Sequence, residues 1–353
     1  MARIAYGVMG DAGGHTTRAL AIARALAKHE FLFFGGGKAL ELRQFGYHVE
    51  EVPMLATYYS NNKVNVRSTL ANGLKVLGLR SRFVEKVAQT LQEFRADLVL
   101  TDYEYFSARA ARRLGIPCIS IDNQHFLTKC VWRPHEGQTL GRFLLTVPLR
   151  LLFSVADRFI ISTFFRLAPI NPEDTEVFPP VLRHIVSEFV PSQDEHVLVY
   201  QTSPTFLKLL SVLERLPYRF LIYGFGDRPS SGNLVFKSPS TMGFLQDLSS
   251  CRYAITNGGH NVISEALYYG KPVLAFPIRL AYEQFFNGHM LRTLGYGDYC
   301  LDSAPDGKVF RDFEERLEGF RSRVSQGNFY GNDQLASRLE QILSGAPADR
   351  PRS

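Results

Sequence analysis

The chain has 353 residues, of which 45% are hydrophobic and 21% charged, as is typical of a globular protein. This length predicts two domains, each with a core of its own. The net charge of +6 is only mildly basic and no dense Lys/Arg block occurs, which argues against a nucleic-acid partner. Such a charge suits an anionic small ligand or an anionic membrane surface.

The cysteines and the start of the chain point to a cytoplasmic protein. The four cysteines are scattered with no CxxC pair, so we expect them to be reduced and structural. The N-terminus leads directly into an apolar strand, so no signal peptide is predicted. We find no apolar run long enough to span a bilayer.

The first half of the chain alternates apolar strands with amphipathic helices. "RIAYGVMG" predicts a strand, and the helix "HTTRALAIARALAKH" carries Ala19, Ile22, Ala23 and Leu26 on one face. The segments "EFLFFGGG", "ADLVLTD" and "IPCISIDNQH" predict further strands, and "DRFIISTFF" the last core strand. This pattern indicates a parallel sheet covered by helices.

A stretch rich in proline and acidic residues then interrupts the alternation, and the pattern restarts at "HVLVYQTS". We therefore predict a first domain over residues 1–170, a linker over 171–192 and a second α/β domain with a helical tail over 193–353. Two such domains enclose a cleft, and parallel sheets bind ligands at the carboxyl ends of their strands.

The segment "TNGGHNVISEAL" follows a strand of the second domain. Its two glycines let a backbone approach a ligand closely, and the next helix offers free N–H groups to a phosphate. Asn261 and Glu265 lie one turn apart on the same helix face, where a carboxylate could bind a ribose diol. The alternative is an ordinary strand–turn–helix with a surface glutamate.

After the next strand, "FPIRLAYEQFFNG" places Glu283 and Gln284 at the mouth of the same cleft. An acid beside an amide suits vicinal sugar hydroxyls, although acids are also favoured at helix N-termini. The whole stretch resembles the nucleotide-sugar-binding motif of GT-B glycosyltransferases. It is similar to relatives of the UDP-glucuronosyltransferases and of the lipid-II-forming N-acetylglucosaminyltransferase. The resemblance implies two Rossmann-like domains that face each other across a cleft.

The resemblance also implies roles for individual residues in binding the donor. Glu265 would hold the ribose, and Glu283 and Gln284 the sugar hydroxyls. The groups facing the diphosphate would be Gly258, Gly259, His260, Asn261, Thr202 and Ser203. Phe244 lies in the loop that holds the base in the family, with a core aromatic as the alternative. The sequence departs from many relatives at Asn257, where they carry a histidine.

The loop "GVMGDAGGHTTRAL" follows the first strand. Its spacing does not fit a dinucleotide fingerprint, so NAD binding is not favoured. In the family a glycine-rich loop ending in Gly-His faces the acceptor, which makes His15 the candidate general base, with a loop or capping histidine as the alternative. By the same resemblance Asp102 would orient His15, or it could be a helix N-cap. The remaining acceptor-side candidates are Gly13, Gly14, Asn123 and His125, with Asp11 in reserve.

The implied reaction is inverting transfer of a sugar, with UDP-sugar as the favoured donor, to a hydroxyl of a small-molecule, lipid-linked or glycan acceptor. Helix N–H groups would stabilise the leaving diphosphate. No Asp-x-Asp motif or His/Cys cluster is present, so no metal or other cofactor is predicted. The alternatives are a nucleotide-sugar 2-epimerase of the same fold and a non-catalytic nucleotide-sugar-binding subunit.

The stretch from Phe126 to Leu167 is the most apolar in the chain and is studded with arginines. A basic, aromatic-bearing surface helix would rest on anionic lipid at the inner face of the cell membrane. The alternative is a buried helix and strand of the first domain.

Overall fold

The computed structural model describes residues 1–60, 62–133, 138–202, 204 and 206–345. Two sheets of parallel strands, with seven and six strands, are flanked by helices, and a separate antiparallel pair of short strands is bridged to Arg279 through Lys63. The predicted α/β class with two parallel sheets is therefore confirmed.

The first sheet has the strand order β3-β2-β1-β6-β7-β8-β9. The strands of this half are β1 (Arg3–Val8), β2 (Glu30–Gly35), β3 (His48–Glu51), β4 (Tyr59–Ser60), β5 (Lys63–Val64), β6 (Leu98–Asp102), β7 (Cys118–Asp122), β8 (Arg158–Ser162) and β9 (Thr175–Phe178). The helices are α1 (Gly13–Ala25), α2 (Val66–Gly78), α3 (Arg80–Phe94), α4 (Phe106–Leu114), α5 (Phe126–Lys129) and α6 (Thr139–Pro148). A π-helical segment, Leu149–Phe153, continues α6.

The second sheet has the order β12-β11-β10-β13-β14-β15. Its strands are β10 (Val197–Tyr200), β11 (Phe220–Tyr223), β12 (Leu234–Phe236), β13 (Ala254–Thr256), β14 (Val273–Ala275) and β15 (Gly297–Tyr299). The helices are α7 (Leu207–Leu213), α8 (Thr241–Ser250), α9 (His260–Tyr268), α10 (Tyr282–Leu294), α11 (Gly307–Glu315), α12 (Leu317–Val324) and α13 (Asn332–Ser344).

The central strands β1, β6, β10 and β13 are buried on both faces, which explains their continuous apolar sequences. Parallel pairing brings their carboxyl ends to one edge of each sheet. Val8 of β1 is opposite Asp102 of β6, and Tyr200 of β10 is opposite Thr256 of β13. The loops after these strands therefore lie side by side within each half, and they carry most of the predicted site residues.

The structure corrects two predicted boundaries. Thr175–Phe178, inside the predicted linker, is the edge strand of the first sheet, so "DRFIISTFF" does not contain its last strand. Helix α13 packs on the first half, where Leu335 and Leu339 join the core beneath α1. Arg338 of α13 also pairs with Glu176 of β9 at 2.9 Å. Strand β9 was not predicted from the sequence because it is short and half-buried and lies within an acidic, proline-rich stretch.

None of the helices in the described residues is both long enough and apolar enough to cross a bilayer.

Candidate functional site

His15 and Asp102 meet at the carboxyl edge of the first sheet. His15 lies in the first turn of α1, directly after β1, and Asp102 is the last residue of the neighbouring strand β6. His15 Nδ1 is 2.7 Å from Asp102 Oδ1, and the carboxylate is fully buried. The structure thus brings the two predicted catalytic residues together, and Asp102 does not cap a helix.

The carboxylate determines which nitrogen of His15 is free to act as a base. An ionised carboxylate only accepts hydrogen bonds, so Nδ1 of His15 carries the proton and Nε2 keeps its lone pair. Burial lowers the pKa of His15, but the charge and hydrogen bond of Asp102 raise it by more, so the net pKa lies above its ordinary value. The imidazole side chain keeps 11% of its surface exposed, which leaves a route to a substrate.

Arg18 is a third member of this cluster that the sequence analysis missed. It lies three residues after His15 on α1 and is only 2% exposed. Its Nε and Nη2 atoms donate to the two oxygens of Asp102 at 2.8 and 2.7 Å, and Nη2 is 3.2 Å from His15 Nδ1. The guanidinium compensates the buried carboxylate and moderates its effect on His15. The i, i+3 spacing of His15 and Arg18 places both side chains on one helix face, and this spacing could have indicated Arg18 from the sequence.

Tyr103, directly after Asp102, has a left-handed backbone with φ of 57°. This conformation is strained for a residue with a side chain and is typical of functional sites. The Tyr103 ring stacks on Phe153 with centroids 4.0 Å apart and lies 6.2 Å from the His15 ring. An aromatic wall therefore borders His15 on the side of Tyr103.

The glycine pair before α9 has two different structural roles. Gly258 has φ of 87°, and a Cβ atom there would lie 2.7 Å from the backbone oxygen of Gln284. The fold therefore requires glycine at this position. A Cβ atom on Gly259 would meet nothing within 4 Å, so this glycine faces open space at the start of α9. The free N–H groups of the first turn of α9 lie beside it.

Asn261 joins the two halves across the cleft. Its Nδ2 donates to the backbone oxygen of Gly14 at 2.9 Å, so the first turns of α9 and α1 face each other. His260 is 5% exposed, and its ring stacks on Phe164 at 5.9 Å. Burial and the nearby Arg18 lower the pKa of His260 to about 3, so this imidazole is neutral at ordinary pH. The geometry places His260 in the wall of the site.

Glu265, the predicted ribose ligand, is 1% exposed and is held by an arginine that the sequence analysis did not single out. Arg183 donates from Nε to Oε1 at 2.5 Å and from Nη2 to Oε2 at 3.2 Å. Burial raises the pKa of Glu265, and the Arg183 charge partly offsets this. A donor that used this carboxylate would have to share it with Arg183 or displace Arg183 from it.

Glu283 is held by two amides from the opposite half. Asn123 and Gln124, directly after β7, donate to its two oxygens at 3.1 and 3.0 Å. Burial raises the pKa of Glu283. The acceptor-side candidate Asn123 and the donor-sugar candidate Glu283 therefore occupy one interdomain contact.

The other donor candidates differ in their accessibility. Gln284 accepts from the Ile278 backbone N–H at 3.0 Å through Oε1. Asn257 is fully buried and ties two loops together, because its Oδ1 accepts from the hydroxyl of Thr202 at 2.8 Å. The candidate Ser203 lies outside the described residues.

Two candidates lie in the core. Phe244 is in helix α8, not in a loop, and packs against Tyr200 and Tyr223 with ring centroids 5.4 and 5.2 Å apart. Its apolar ring is more stable in that core than in water. His125 is 1% exposed and bonds Asp122 through Nδ1 at 2.6 Å, so it braces the loop after β7. The reserve candidate Asp11 accepts from the backbone N–H of Thr57 at 3.3 Å.

Within the described ranges, no group of three or more His, Cys, Asp or Glu side chains is arranged to hold a metal ion. The polar groups that converge on the cleft are instead the His15–Asp102–Arg18 cluster, the first turn of α9 and the two glutamates.

Comparison with known proteins identifies the family. The family model for glycosyl transferase family 1 matches residues 2–318. The chain belongs to this family. It is 26% identical to an uncharacterised glycosyltransferase of Methanosarcina mazei, over 94% of each chain. It is also 26% identical to one of Methanosarcina acetivorans, over 90% of this chain and 91% of the relative.

The chain also shares its fold with glycosyltransferases of known structure. It superposes on a UDP-glucosyltransferase of Polygonum tinctorium with a TM-score of 0.67 and 13% identity, covering 97% of this chain and 98% of the other. For Acinetobacter baumannii MurG the TM-score is 0.62 at 15% identity, with 97% and 100% covered. These similarities confirm the GT-B fold predicted from the sequence.

Proposed function

We propose that this glycosyltransferase is inverting and metal-independent, and that it transfers a sugar from a nucleotide sugar to an acceptor hydroxyl. The observation that carries the proposal is the position of His15. Its free Nε2 belongs to an Asp102-oriented imidazole, and Asn261 holds the first turn of α9 against the same helix turn. The proposed base and the helix turn proposed to bind the diphosphate therefore lie on two facing helix termini.

Each step of the proposed reaction has a residue on this chain. His15 Nε2 removes the proton of the acceptor hydroxyl as its oxygen bonds to the anomeric carbon. The bond from that carbon to the nucleotide diphosphate breaks on the opposite face, and configuration inverts. The N–H groups of the first turn of α9 stabilise the negative charge on the leaving diphosphate. Glu265 would hold the ribose, and Glu283 the sugar hydroxyls.

UDP-sugar is the donor to test first, as the sequence motif implied. One of the structural neighbours is itself a UDP-glucosyltransferase, which supports this choice. We expect calorimetry to show tighter binding of UDP than of TDP, GDP or NAD. NMR of the product made from an α-linked UDP-sugar should show the β anomer. Conversion of the UDP-sugar to its 2-epimer without an acceptor would instead favour the epimerase alternative.

Glu265→Gln is expected to weaken UDP binding by about 1–3 kcal/mol, because a charged hydrogen-bond acceptor is lost. The matched control is Glu195→Gln, since Glu195 has 92% of its side chain exposed. It should leave the UDP dissociation constant unchanged. UDP binding to the Glu265 variant as tightly as to the wild type would contradict the ribose assignment.

Excess EDTA is expected to change the transfer rate by less than about twofold, because the N–H groups of the helix terminus supply the charge stabilisation that a metal would otherwise provide. The measurement is the initial rate with and without EDTA, then after adding back Mg²⁺ or Mn²⁺. A loss of activity that either ion restores would contradict the metal-independent mechanism.

A further inference from the structure

Two surface elements carry an unusual concentration of exposed apolar side chains. Residues 52–84 and 137–156 hold nearly half of the large hydrophobic side chains that are exposed in the described part of the chain. We call the surface formed by α2, α6 and the π-helical segment the α2–α6 face. Its apolar members are Leu70, Leu74, Leu140, Phe143 and Leu151, which are 58–74% exposed.

The spacing of these residues makes a continuous stripe on each helix. On α2, Arg67, Leu70, Leu74 and Lys75 follow the i, i+3, i+7, i+8 pattern of one face, and Val76 is the buried residue of the helix. On α6, Leu140 and Phe143 are one turn apart, and Gly141 is the buried residue. An amphipathic helix on a globular protein normally turns its apolar stripe inward, so outward stripes indicate a surface that is covered.

Contacts at both ends show that the two elements lie side by side. Near their starts, Val64 donates its backbone N–H to the oxygen of Arg279 at 3.0 Å, and a Cβ atom on Gly141 would lie 3.2 Å from the oxygen of Leu280. Near their ends, Arg109 Nη1 donates to the Leu152 oxygen at 2.7 Å. Arg80, just after α2, is close enough for its charge to lower the pKa of Arg109, after the larger effect of burial.

The charge of this face is one-sided. Residues 52–84 and 137–156 contain no Asp or Glu. They contain Lys63, Arg67, Lys75, Arg80, Arg82, Arg142 and Arg150. None of these cations is within ion-pair distance of a carboxylate among the described residues. The elements that form the α2–α6 face, residues 66–78 and 139–153, thus carry only cationic charges, and such an apolar stripe is complementary to a surface with an apolar interior and anionic headgroups.

The face adjoins the acceptor side of the cleft. Leu151 is two residues from Phe153, whose ring stacks on Tyr103 at 4.0 Å, and Tyr103 lies 6.2 Å from the His15 ring. A row of aromatic rings thus leads from the α2–α6 face to the proposed base.

We propose that the α2–α6 face docks on an anionic lipid bilayer, so that an acceptor carried in the membrane reaches His15 along this aromatic row. The role of His15 in this inference rests on the proposed function, whereas the docking of the α2–α6 face does not depend on it. A second copy is a poorer occupant, because a twofold interface on this face would bring like charges together.

The test is co-sedimentation of the full chain with vesicles of phosphatidylcholine alone or mixed with phosphatidylglycerol. We expect binding to the anionic vesicles at least tenfold tighter than to the neutral ones, and weaker in high salt. Leu74→Glu with Phe143→Glu should weaken binding at least tenfold, because two charges would enter the headgroup region. Lys75→Glu alone should weaken it at least fivefold.

The matched control is Val190→Glu, since Val190 is 84% exposed outside the α2–α6 face. It should bind anionic vesicles as the wild type does. Failure of the wild type to bind them, an equal loss in Val190→Glu, or self-association through the face without vesicle binding would each overturn the docking. Thermal melting and UDP calorimetry on each variant separate the two proposals, since UDP binding without vesicle binding overturns only the docking.

Discussion

His15→Ala is expected to lower kcat for sugar transfer by about 10²–10⁴-fold, the usual contribution of a general base. The acceptor hydroxyl would then have to lose its proton to water as it attacks. UDP affinity should be unchanged, because the proposed mechanism assigns His15 to the acceptor and not to the nucleotide. Initial rates and UDP calorimetry on the same preparation measure both effects.

His48→Ala is the matched control, because His48 has 66% of its side chain exposed on the surface of the first sheet. It should retain full activity. If the His15 variant kept wild-type activity, the chain would use another base.

The pH dependence gives a second measure of the same residue. His15 must be neutral to accept a proton, so kcat/KM should fall as pH falls through its pKa, which lies above the ordinary imidazole value of about 6.5. Asp102→Asn removes the charge that raises this pKa, so the acid limb should move to lower pH while the maximal rate drops. An acid limb that stays in place in Asp102→Asn would exclude His15 as the group that titrates.

Arg18→Met is expected to lower the free energy of unfolding by about 3–5 kcal/mol. It removes the main counter-charge of Asp102, which is fully buried, and breaking a buried ion pair from one side leaves an uncompensated charge. Urea denaturation of the wild type and the variant measures the loss.

Two controls separate this prediction from a general loss of packing. The double variant with Arg18→Met and Asp102→Asn should lose less free energy of unfolding than Arg18→Met alone, since no buried charge remains. Arg3→Met breaks an ion pair between half-exposed side chains, Arg3 and Glu30, and should cost about 0–1 kcal/mol. Equal losses for the single and the double variant would contradict the charge-compensation argument.

Arg18 also has a kinetic signature as a positioning residue. Its charge lowers the pKa of His15, so replacing it should move the acid limb of kcat/KM to higher pH, opposite to the shift in Asp102→Asn. Arg18→Lys keeps the positive charge, so the acid limb should stay close to its wild-type pH, although lysine cannot make the bidentate contact with the carboxylate. A purely structural role of Arg18 would leave the limb where it is in both Arg18→Met and Arg18→Lys.

The sequence by itself determined the α/β class, the two parallel sheets and the family motif in "TNGGHNVISEAL". These features depend on local periodicity and on glycine positions. Gly258, for example, needs a positive φ and close packing on α10. The carboxyl ends of β1 and β6 also had to be adjacent for His15 to meet Asp102, and the family resemblance supplied that pairing before the coordinates did.

Only the tertiary structure decided the partners of the charged groups. Arg18, Arg183 and the amides of Asn123 and Gln124 contact residues more than eighty positions away or in the opposite half. Electrostatic pairing depends on distance in space and on burial, and a single sequence records neither. The same reason explains why β9 was missed and why α13 was assigned to the second domain, since only long-range packing fixes both elements to the first half.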